Sequence, residues 1–331
     1  MRKGSVPPAR LRPVRRLGKF ALSTLAAGSR GRVLAATSSA IYLADANDDL
    51  LWLTTEHATL HRRGVQVAFP LPQVAPGTAF AVVGRRLKLG PRLAFDLSGA
   101  SVWDVAPMCL ERVVPLAHLP AHLATAFPLL ARLPSPAGFG LLLPAILARI
   151  DNRITPRLST APAPSLQRAW PAIRDILDAC LAGELPAALA RAEGLIGLGE
   201  GLTPSGDDFV GGLLYSLQRL RDVHAGLGRL ESQDLNLFLS RSKPCTNLIS
   251  YTMLLDHACG HASDALQQFV DALLTGQTFE LIESLATRLT RVGHSTGWDM
   301  LTGVVVGMMS TCCLLAPRVP AEVGAAHLLQ A

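Results

Sequence analysis

Up to about residue 112, apolar positions fall in short runs rich in β-branched residues and punctuated by Pro and Gly. The runs cover 31–44, 50–55, 64–69, 78–83 and 92–97. Between them stand Ala46-Asn47-Asp48-Asp49, Pro70, Pro72, Pro76-Gly77 and Gly90-Pro91. Strands this short and this evenly spaced predict a small antiparallel sheet or barrel. The run 17–27 before them reads as a short helix. From residue 113 the period becomes helical, over 117–133, 139–150, 165–182, 185–195 and 207–221, then 247–259, 262–275, 279–292 and 298–315. The fold class is therefore α+β. A β-rich domain over 30–112 precedes a larger all-α domain over 113–318, with a basic arm at 1–29 and a tail at 319–331.

Composition narrows the class. Of 331 residues, 49% are hydrophobic and only 17% charged, which excludes a disordered chain. The net charge of +6 suggests a polyanion partner, but residues 1–19 hold seven basic and no acidic residues. The rest carries 24 basic against 25 acidic residues, so the body is near neutral and a nucleic-acid partner is not expected. Six cysteines without a CxxC pair read as packed, reduced thiols of a cytoplasmic protein. The run 300–317 lacks charge, but its Gly, Ser and Thr content suits the central helix of an α-domain, so no membrane partner is expected either.

The densest chemistry lies in GLGEGLTPSGDDFVGG, residues 197–212. Gly197, Gly199, Gly201 and Gly206 permit positive φ and close backbone approach. The segment opens a helix, with Ser205 expected as N-cap and Asp208 as its capping-box partner. A glycine-rich turn at a helix N-terminus suits a small anionic substrate, with Thr203 and Ser205 adding hydroxyl donors. Asp207 and Asp208 could instead hold Mg²⁺. The pattern is neither a P-loop nor a dinucleotide fingerprint, and capping with tight packing would also account for it.

A second segment, GHSTGWDMLTG at 293–303, repeats the spacing G-x-D-x-x-x-G: Gly206/Asp208/Gly212 against Gly297/Asp299/Gly303. Two such helix N-termini could face one pocket lined by Ser295, Thr296, Gly297 and Asp299. His294 is the candidate acid–base group, because imidazole titrates near neutrality. Asp207 and Asp208 are candidates to orient an amine and accept its proton. Arg288 and Arg291 could neutralise an anion. Thr246 and Ser250 form a third donor set, four residues apart. His57, His61, Arg62 and Arg63 cluster at a turn. His257 and His261 have metal spacing but no third ligand.

Together these two motifs resemble the AllH-like proteins, a family that includes a subunit of oxamate carbamoyltransferase. The resemblance implies carbamoyl transfer between carbamoyl phosphate and oxamate or oxalurate in allantoin catabolism, with other subunits as partners. It leaves open transfer to a different acceptor, a non-catalytic subunit that binds an anionic metabolite, and homo-oligomerisation. The Ser-Thr-Arg-Thr and His-Pro segments of aspartate- and ornithine-type transcarbamoylases are absent, so the chemistry would run on another fold.

Overall fold

The structure, a computed structural model, describes residues 10–105, 107–150, 164–224 and 231–314. Nine strands come first: β1 (Arg10–Gly18), β2 (Arg30–Ala36), β3 (Ala40–Asp45), β4 (Leu50–Thr55) and β5 (Gly64–Val67), then β6 (Ala79–Val83), β7 (Arg86–Leu89), β8 (Leu93–Asp96) and β9 (Ser101–Trp103). In the order β5-β4-β3-β2-β6-β7-β8-β1 they close into a barrel, because β1 pairs with β8 through residues 10–13 and with β5 through residues 14–17. Closure removes the exposed sheet edges that an open sheet would leave.

The barrel is mixed rather than wholly antiparallel. The hairpin-linked neighbours run antiparallel, while β1–β8, β1–β9 and β4–β5 run parallel. Residues 10–18, read above as part of the basic arm, are the closing strand; Val14 and Leu17 bury their side chains in the barrel core. Only α1 (Lys19–Thr24) remains of the predicted 17–27 helix. The run 31–44 is two strands, because the Thr37 hydroxyl accepts the N–H groups of Ser39 and Ala40 and reverses the chain. Residues 1–9 and the tail 319–331 lie outside the described residues.

Helices follow: α2 (Leu119–Leu130), α3 (Leu143–Ile150), α4 (Pro164–Ala182), α5 (Leu185–Ala192), α6 (Ser205–Val223) and α7 (Ser232–Ser242), then α8 (Leu248–Ala258), α9 (Asp264–Leu274), α10 (Phe279–Thr290) and α11 (Thr296–Met308). The pair α6–α11 forms the centre of this region. Every residue from Gly297 to Met308 is buried, which explains the uncharged run. Among the described residues, no helix is long and apolar enough to cross a membrane. The cysteines depart from expectation: Cys180 is buried, but Cys109, Cys245 and Cys259 are exposed.

The barrel docks on the helices through its outer face. Along β3, Ile41 and Leu43 point into the barrel core while Tyr42 points out, as strand alternation requires. Tyr42, Leu50 and Trp52 pack there with Leu202, Ile249 and Met253. A buried ion pair fixes this contact: Arg63 donates through Nε (2.5 Å) and Nη2 (2.8 Å) to Asp256 of α8. A two-way backbone clamp joins Leu60 and Asp264, with Leu60 N–H donating to Asp264 Oδ1 and Asp264 N–H to Leu60 O, each at 2.9 Å.

Candidate functional site

α6 and α11 lie side by side in the same direction, because each has a glycine where the other's backbone crosses. A Cβ on Gly212 would lie 2.1 Å from the Met300 carbonyl oxygen, and one on Gly303 would lie 1.9 Å from that of Phe209. Met300 occupies the place in its motif that Phe209 holds in the other, so the two segments pack as a pseudo-twofold pair. Gly206 and Gly297 seat each helix start against a preceding carbonyl, Leu195 O and Leu289 O, where a Cβ would lie at 1.9 Å. These glycines set packing rather than lining a ligand pocket directly.

The arrangement brings both helix N-termini to one place. The Thr203 and Thr296 hydroxyls meet at 3.2 Å, and those of Ser205 and Ser295 at 3.5 Å. Ser205 is the first residue of α6 and caps nothing; Pro204 holds the cap position. Neither α6 nor α11 has a side-chain cap, whereas Asn247, Ser263 and Thr278 cap α8, α9 and α10. Gly199, at φ +127°, leaves the Ser205 N–H uncovered; a Cβ there would lie 2.6 Å from that nitrogen. Two uncapped, co-directed N-termini concentrate positive potential on one spot.

Beneath the hydroxyls lie Asp208 and Asp299, 5% and 0% exposed. Asp299 Oδ1 accepts the Phe139 N–H at 2.6 Å, and Gly138 has no side chain to displace it. The Oδ2 atoms of Asp208 and Asp299 are buried with no hydrogen-bond partner among the described residues. Burial pushes Asp299 up to about 6 against the Phe139 N–H and the Ser205 and Ser295 hydroxyls. Burial, then the Asp299 charge, holds Asp208 well above the usual carboxylate range, with the Thr296 and Thr203 hydroxyls opposing. Both carboxyl groups are thereby disposed to hold a proton to higher pH than an exposed carboxylate.

Asp207 belongs to a neighbouring knot. Its Oδ1 accepts the Gly197 N–H at 2.6 Å, and its Oδ2 accepts the Ser250 hydroxyl at 2.6 Å and that of Thr246. Thr246 and Ser250 thus converge as a donor pair, but on Asp207. Asp207 and Asp208, possible Mg²⁺ ligands by sequence, are neighbours in α6 but hold different partners, Asp207 with Gly197, Thr246 and Ser250 and Asp208 beside Asp299. Among the described residues, no group of three or more His, Cys, Asp or Glu could hold a metal.

Other candidates sit apart. Gly201 and His294 are exposed at the turns. Arg288 is engaged by Asp264 and Gln268 of α9. His61 and His257 are buried near the Arg63–Asp256 pair, and burial pushes them down to about 3 and about 4. The sequence reading missed Phe139, whose contribution is a backbone N–H, and Tyr42, which reaches the region from the barrel.

Residues 195–308 match the model of the family described as oxamate carbamoyltransferase subunit AllH, the resemblance that the two motifs carry. The matched segment runs from the glycine loop through α11. No curated protein and no solved structure matches the chain.

Proposed function

We propose that this chain is a subunit of an oxamate-carbamoyltransferase-type enzyme, and that the paired N-termini of α6 and α11 bind its carbamoyl-bearing anion. The observation that carries the reading is the meeting of two uncapped termini over two buried carboxylates with unpartnered Oδ2 atoms. Donors and acceptors of both kinds fit such a substrate. Ser205, Thr296 and the helix N–H groups donate to anionic oxygens. The ionised member of the Asp208–Asp299 pair accepts through its Oδ2 from a primary amide or carbamoyl NH₂, a group that a plain phosphate lacks.

Transfer then needs one proton relay. The oxamate nitrogen attacks the carbamoyl carbon, and the new C–N bond replaces the C–O bond to phosphate. The nitrogen's proton passes to the ionised member of the Asp208–Asp299 pair, while the protonated member gives its proton to the departing phosphate. The reverse sequence makes carbamoyl phosphate from oxalurate and phosphate. Asp207, Thr246 and Ser250 hold the glycine loop in place, and His294 has no part in the relay.

The test is carbamoyl transfer by the full-length chain assembled with the subunits that copurify with it. Asp208→Asn should lower turnover about 10²-fold or more, and His294→Ala by less than about tenfold. The packing of Gly206, Gly212, Gly297 and Gly303 favours a second reading, a structural subunit whose motifs only pair helices. That reading gains if Asp208→Asn leaves turnover unchanged.

A further inference from the structure

We propose that Tyr42, on the outer face of the barrel, is a further substrate-binding residue of the paired-terminus site, its hydroxyl donating to an anionic oxygen of the bound acyl group. The proposal rests on the reading above and adds a second domain to the site.

Register puts the phenol there. Tyr42 lies between the inward-facing Ile41 and Leu43, so it leaves the barrel toward the helices. Tyr42 and Leu202, which sits between Gly201 and Thr203 in the glycine loop, pack against the same Leu50–Trp52–Ile249 cluster, and the Tyr42 ring centroid lies 6.1 Å from that of Trp52. The Arg63–Asp256 pair and the Leu60–Asp264 clamp hold this face against α8 and α9, so the ring's place over the loop is fixed. Among the described residues the Tyr42 hydroxyl has no hydrogen-bond partner, although the side chain is half-buried. The hydroxyl oxygen itself is not fully buried, so a ligand can reach it. Burial and the Asp208 charge both raise its pKa, which keeps the proton on the oxygen and makes it a donor.

The two halves of the pair differ in a way that gives Tyr42 a role. The Asp299 side has a backbone donor, Phe139 N–H, already committed to its carboxylate. Among the described residues Asp208 has no such backbone donor, and it is the Asp208 charge that acts on the Tyr42 phenol. An anion with a carboxylate at one end and an amide at the other, such as oxamate or oxalurate, would be oriented by this asymmetry. Phosphate, with equivalent ends, would not.

The experiment is calorimetric titration of oxalurate and of inorganic phosphate into the full-length chain, alone and with its copurifying subunits. Tyr42→Phe keeps the ring and removes the hydroxyl. It should weaken oxalurate binding roughly tenfold or more, the size of one hydrogen bond to a charged group, and weaken phosphate binding far less. Its melting temperature without ligand should equal that of the wild type. Equal oxalurate affinity in both proteins, or a weakening matched by a lower melting temperature, overturns the role of Tyr42 while leaving the site itself standing. No saturable binding by the wild type removes the site and Tyr42 with it.

Discussion

Gly303 lies so close to Phe209 that a Cβ on the glycine would sit 1.9 Å from the Phe209 carbonyl oxygen, and Gly212 stands in the mirrored relation to Met300. Backbone-to-backbone contact at two equivalent points fixes the separation and direction of α6 and α11. Gly303→Ala should therefore destabilise by about 1–2 kcal/mol, the overpacking cost of up to about 3 kcal/mol exceeding the roughly 1 kcal/mol that alanine gains in a helix interior. Gly212→Ala should do the same. Urea denaturation monitored by circular dichroism measures both.

Arg63 and Asp256 tie barrel to helices through a buried bidentate pair, with Arg63 Nη1 also donating to Leu50 O at 3.1 Å. Removing one partner strands a buried charge. Asp256→Ala should cost about 3–5 kcal/mol, and Arg63→Met with Asp256→Leu should recover most of it. Equilibrium denaturation of the single and double variants completes the cycle.

Acid should unfold the chain through His61 and His257. Burial lowers both below the ordinary histidine value of 6.5, to about 3 and about 4. The unfolded chain binds these protons more tightly than the folded one. The stabilisation is full above pH 6.5 and lost as pH falls through the window down to about 4 and 3, at up to about 1.4 kcal/mol per pH unit for each histidine. His257→Gln should flatten this part of the stability profile.

Asp299 works in the opposite sense. Its folded-state pKa is raised to about 6 from 3.8, so its stabilising contribution is full below about pH 4 and lost as pH rises to about 6. Asp299→Asn can still accept the Phe139 N–H and does not ionise. Its melting temperature relative to wild type should rise between pH 4 and 6 and level off above, by the equivalent of about 2–3 kcal/mol.

The α-domain was legible because its helices carry clear periods, and the motif pair because G-x-D-x-x-x-G recurs with hydroxyls beside it. The convergence of Thr203 with Thr296 follows from that repeat. What the repeat could not show is which glycines pack and which face a ligand, since Gly206 and Gly199 look alike in sequence. Nor did adjacency reveal that Asp207 and Asp208 serve different networks; only helix geometry and the distant Thr246 and Ser250 separate them. The β1 strand was hidden by its run of arginines; Arg15 and Arg16 are exposed while Val14 and Leu17 fill the barrel. α7 was not predicted because its apolar positions are few beside Ser232, Gln233, Asp234 and Asn236. Phe139 offers a main-chain group, which leaves no side-chain signature.

The most direct measurement is calorimetric titration of carbamoyl phosphate into the full-length chain with its copurifying subunits, for wild type and for Thr203→Val combined with Thr296→Val. These replacements keep side-chain shape and remove the two hydroxyls that meet at 3.2 Å. The account predicts saturable binding by the wild type and at least about tenfold weaker binding by the double variant, with melting temperature retained. Equal affinity in the two proteins, or no saturable binding by the wild type, would contradict it.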